Sequence, residues 1–186
     1  MSTEQNQQTE DNWVEKIGAP AYESIREMVA ALLADRQRLD ELTEQRQELL
    51  DEIDAEEDSR ARKDAAIQAL ADWDADNAQE FEQLRADIGD TEDEDDARQR
   101  IEGDALSVEI RSGWTSPGSD MEPEEYRILL TTGGPAVQIV GDLDQFGEPM
   151  RARLMVQDWW KPWTEYLAAD QDTLLAYARV FSFAND

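Results

Sequence analysis

EYRILLTTGGPAVQIVGDLD, running from Glu125 to Asp144, holds two aliphatic, β-branched runs divided by Gly133-Gly134-Pro135. Residues of this kind fill pleated, half-buried surfaces, and a divider this short returns the chain antiparallel to itself. Working outward, LSVEIRS from Leu106 and RARLMVQDW from Arg151 have the same texture. Ser116-Pro117-Gly118-Ser119 and Phe146-Gly147-Glu148-Pro149 supply the remaining turns. The simplest topology is a four-stranded meander. Beyond it, Asp170 is placed to cap a helix whose Leu174, Leu175, Tyr177, Ala178 and Phe181 form one apolar face suited to lying across the sheet.

Upstream the period changes from two to that of a helix. Ile25, Met28, Leu32, Leu39, Leu42, Leu49 and Ile53 follow three- and four-residue steps, with Asp35 and Arg46 as polar interruptions. Without Gly or Pro after Pro20, one unbroken helix to about Ile53 is expected. Residues 54–63 carry no large apolar side chain and serve either as a bend or as an exposed part of one long helix. Ile67, Leu70, Trp73, Phe81, Leu84 and Ile88 then form a second stripe that stops at Gly89. Thr91 followed by Glu94, Asp95 and Asp96 reads as the start of a short helix ending at Gly103. The fold class is therefore α+β. The expected organisation is a disordered tail over 1–12, a helical region over 13–104 forming a coiled-coil-like arm or hairpin, and an antiparallel sheet with a C-terminal helix over 105–186.

Composition limits the function classes. Among 186 residues, 17 are basic and 45 acidic, a formal charge of -28, which repels phosphate backbones and anionic membranes and attracts cationic surfaces. With neither cysteine nor histidine, disulfides, thiolate metal sites and the commonest general base are all missing, so no catalytic residue, metal or cofactor is assigned. The first twenty residues lack a basic segment and an apolar core, and no run is long enough to span a bilayer, so the expected location is cytoplasmic.

Two local patterns are candidate partner-binding sites. Asp72, Asp74, Asp76 and Glu80 resemble the opening of a calcium loop, but Asn77 stands where the turn needs Gly and Gln83 where a bidentate Glu belongs. They read better as an acidic helical face, as the run Glu92 to Asp96 reads as an exposed helix start. Trp159, Trp160, Trp163 and Tyr166 fall within the stretch from 159 to 166, either sealing the junction of last strand and helix or forming an exposed anchor for a protein partner. Trp114, between Gly113 and Thr115, poses the same choice.

IREMVAAL at Ile25 to Leu32, LSVEIRSGW at Leu106 to Trp114, ILLTTGGPAVQIVGDLD at Ile128 to Asp144 and QDWWKPWTEY at Gln157 to Tyr166 together resemble a family of small acidic proteins of unassigned function encoded by tailed phages and prophages. The resemblance implies an intracellular viral protein and transfers no site residue. With the charge, it leads to the expectation of a non-enzymatic accessory protein acting by protein contact, in the manner of a DNA mimic that blocks a basic surface of a host defence nuclease or CRISPR complex. The alternative is a coiled-coil assembly protein whose acidity serves solubility or salt adaptation. A heptad seam needs a covering surface, which leads to the expectation of a homodimer unless the second helix supplies it.

Overall fold

The computed structural model describes residues 3–55, 59–114, 116–118 and 122–183, the first ten of these by their backbone alone. Contacts divide the chain into two compact units, Met1–Val29 with Asp95–Asp186, and Ala30–Glu94. The cut differs from the division at 104/105 expected from sequence texture, because the first part of the N-terminal helix belongs with the sheet.

The first unit carries the α+β core. Helix α1 (Thr3–Leu33) supplies its residues up to Val29 to this unit, followed in sequence by α4 (Glu94–Asp104), β1 (Ser107–Ser112), β2 (Pro123–Thr131), β3 (Ala136–Asp142), β4 (Arg153–Gln157), β5 (Thr164–Glu165) and α5 (Gln171–Ala178). The strands form one antiparallel sheet in the order β1-β2-β3-β4-β5. The expected meander is there, and WTEY adds the short fifth strand, Met155 facing Glu165. Alternation puts Tyr126, Ile128, Leu130, Val137, Ile139, Leu154 and Val156 on one face, all buried. Helix α5 contributes Leu174, Leu175, Tyr177 and Ala178, and its cap is as expected: the Asp170 carboxylate accepts the Thr173 N–H at 2.8 Å. That bond holds the Asp170 carboxyl below the usual aspartate range. Tyr177 donates to Asp104 of α4 at 2.7 Å.

Helix α1 begins at Thr3, so helical backbone extends over the stretch expected to be a disordered tail. Gln and Glu are good helix formers, and no Gly or Pro occurs before Gly18. Ile25, Met28 and Val29 are buried at helical spacing. Gly18 lies against Tyr166, where a methyl group would overlap the ring, and Tyr22 meets the same ring at 6.3 Å.

The second unit is a helical hairpin of α2 (Arg36–Ala55) and α3 (Arg60–Ile88). The single helix expected to reach Ile53 is instead broken after Leu33. Asp35, which the periodicity treats as a polar seam position, ends one helix and starts the next, its carboxylate accepting the Arg38 N–H at 2.9 Å. The two helices run antiparallel: Arg38 pairs with Glu80, and Gln45 and Arg46, about two turns on, meet Trp73 and Asp74. The stripes face each other in part: Leu42 is fully buried and Trp73 lies edge-on to Phe81 of its own helix, whereas Ile67 stays 48% exposed. Gly89 ends α3 at φ 57°, as expected. Thr91 does not start α4, contrary to the expected N-cap. Its hydroxyl donates to the Ile88 carbonyl at 2.7 Å and accepts from Arg36, closing the end of α3 instead.

Candidate functional site

The hairpin carries the acidic candidates. Asp72, Asp76 and Glu80 recur every four residues, about 6 Å apart along α3. Three of the four predicted carboxylates are already engaged: Arg38 chelates Glu80 at 2.9 and 3.0 Å, Arg46 reaches Asp74 at 3.4 Å, and Gln68 donates to Asp72 at 2.8 Å. The Arg38 hydrogen bonds hold the Glu80 carboxyl below the usual glutamate range. Asp76 alone has no hydrogen bond or ion pair among the described residues. The carboxylates lie along helical backbone, and no group of three or more acids placed to hold a metal ion occurs among the described residues.

The freer acidic row is on α2. Asp40, Glu44 and Glu48 repeat at four-residue intervals, all exposed and without ion pairs among the described residues. With Thr43, Gln47 and Asp51 they line a shallow groove of about 480 Å³ with no basic residue in its lining among the described residues. The signal was present in the sequence as acids filling the outer positions of the Leu39–Leu49 heptads.

The aromatic candidates separate in the sheet unit. Tyr166 is core, 7% exposed. Burial, before the nearby Glu15 carboxylate, pushes its hydroxyl above the usual tyrosine range. Trp163 is half-buried. Trp159 and Trp160 do not seal the strand–helix junction, one of the two roles the sequence allowed. They are 63% and 99% exposed, in a turn closed by the Lys161 N–H donating to the Asp158 carbonyl at 3.0 Å. Trp160 holds φ at 64°, a region bulky side chains seldom adopt. Lys161 turns its ammonium toward Trp13, 4.5 Å from the ring centre. Trp114 is fully exposed.

Trp159, Trp160 and Trp163 border a groove of about 560 Å³ on the open face of the sheet, opposite the core. Its floor is Gln138, a residue that sequence reading passed over as one polar position in an apolar strand. Gln138 is 7% exposed, and its Oε1 is buried without a hydrogen-bond partner among the described residues. Beyond Gln138 the face carries a charge lattice: Arg127 pairs with Glu109, and Arg111 with Glu125.

The two surfaces, acidic helix face and aromatic groove, are both suited to binding. No helix among the described residues is long and apolar enough to cross a membrane. Comparison with protein-family models, curated proteins and solved structures finds no match to this chain.

Proposed function

We propose that this chain is a non-enzymatic binding protein that acts by contact with a basic surface of another protein, as an accessory inhibitor made by a tailed phage or prophage in the host cytoplasm. The observation that carries this reading is the α2 row: Asp40, Glu44 and Glu48 stand exposed on one helix and make no ion pair among the described residues. Rows of fixed carboxylates about 6 Å apart present a basic groove with the regular negative charge that nucleic acid presents. The α3 acids contribute less, because Arg38 and Arg46 offset Glu80 and Asp74.

Capture from host lysate tests this with three chains: the intact protein, a triple variant Asp40→Asn, Glu44→Gln, Glu48→Gln, and a double variant Asp72→Asn, Asp76→Asn. The intact protein is expected to retain a nucleic-acid-binding protein at low salt, release it at high salt, and release it to added DNA. The α2 variant is expected to lose most of that capture and the α3 variant little. Equal capture by all three chains, or a partner that DNA does not displace, rejects the reading.

A further inference from the structure

Strand β1 is an edge strand whose only strand neighbour among the described residues is β2. Val108 and Ile110 pair with the buried Ile128 and Tyr126, so they lie on the core face of the sheet. They are nevertheless 39% and 41% exposed, and among the described residues of this unit no further strand lies beyond them. Leu106 and Trp114, just outside the strand on either side, are also exposed. Soluble proteins shield such edges with charge, proline or a covering element, since an open apolar edge recruits another strand.

The side chains specify which strand. Suppose a second β1 lies antiparallel, with Ile110 facing the second copy's Ile110. Glu109 then faces the second copy's Arg111, and Arg111 the second copy's Glu109. Each of these residues already has an opposite charge on its β2 side, Arg127 and Glu125 respectively. The result is an unbroken alternating row over four strands, from Arg127 through Glu109 to the second copy's Arg111 and Glu125, and its mirror image. Directly opposed like charges disfavour a sheet pair and opposite charges favour it. A one-residue slip puts Glu109 opposite Ile110 and aligns core face with open face. In the matched register Val108 meets Ser112, and Leu106 meets Trp114, covering the exposed apolar side chains at both ends.

We infer that β1 is a homodimerisation edge, pairing antiparallel with β1 of a second copy of this chain about a two-fold axis at Ile110 and continuing the sheet across both copies. The interface is isologous, as closed dimers require. Two copies of charge -28 repel at long range, whereas exposed edge ion pairs are individually weak. Added salt therefore strengthens this association, opposite to the effect on a basic partner.

Sedimentation equilibrium of the intact protein is expected to show a dimer whose share rises with salt. A monomer at every salt and protein concentration overturns the inference. The register is read by oxidation, which is clean because the chain has no cysteine of its own. Ile110→Cys, on the axis, is expected to give a covalent dimer several times faster than Val108→Cys, which would face serine. Equal rates overturn the two-fold at Ile110. Glu109→Arg and Arg111→Glu are each expected to abolish the dimer, while a mixture of the two forms a heterodimer, since each altered edge then faces its opposite. Far-UV circular dichroism checks that each variant is folded, and if either swap unfolds the chain the cysteine pair decides. A dimer that survives both swaps belongs to another surface, such as the hairpin seam, and overturns the assignment to β1.

Discussion

Trp160 combines a left-handed backbone with a fully exposed ring. Such a backbone costs a bulky residue about 1–2 kcal/mol, of which glycine would return part after its own entropy is counted, about 0.5–1 kcal/mol. Trp160→Gly is therefore expected to leave thermal stability unchanged or to raise it by up to about 1 kcal/mol. A loss of about 3 kcal/mol, as for truncating a packed aromatic, would show instead that the ring supports the fold. Gln138 is tested in the same way. Its buried unpaired Oε1 is a cost that Gln138→Met removes at nearly constant shape, with an expected gain of about 1 kcal/mol in chemical denaturation.

At the scale of elements, the break between α1 and α2 rests on Asp35. Asp35→Ala is expected to destabilise the hairpin by about 1 kcal/mol and to speed hydrogen exchange at the Arg38 amide, which the carboxylate holds, while Asp35→Ser retains most of the protection. This break shows where sequence reading stops. Four of the five strands, the Gly89 terminus and the Asp170 cap were legible because each is decided by its immediate neighbours. The stripe from Ile25 to Ile53 was legible as amphipathic but not as two faces with different partners, since a heptad pattern records what is buried and not against what. The offset acids were hidden for a related reason: Glu80 meets Arg38 only because the hairpin register brings together residues 42 positions apart. Gln138 was invisible because one amide in a strand looks the same whether its oxygen is satisfied or not.

For the whole molecule, the tyrosines tie stability to alkaline pH. Burial holds the Tyr126 and Tyr177 hydroxyls well above the usual tyrosine range, and Asp104 adds to the effect at Tyr177. The folded state keeps these protons to higher pH than the unfolded chain does. Their contribution is therefore complete below about pH 10 and is lost as the pH rises beyond it. The melting temperature is expected to fall from about pH 10 upward, with tyrosinate absorbance appearing together with unfolding, and the slope is expected to flatten in a Tyr126→Phe, Tyr177→Phe double variant. The seat of Tyr166 against α1 has a consequence for synthesis. Glu15 and Tyr166 meet across 151 positions, which a ribosome takes roughly 8 to 30 s to traverse at about 5–20 residues per second. Throughout that interval Ile25, Met28 and Val29, buried in the folded sheet unit, wait for the rest of that unit to be made, while both helices of the hairpin within Ala30–Glu94 are complete early. The nascent chain thus completes its insert before its frame, and ribosome-bound chains stopped short of Tyr166 are the ones that offer an uncovered apolar helix to chaperones.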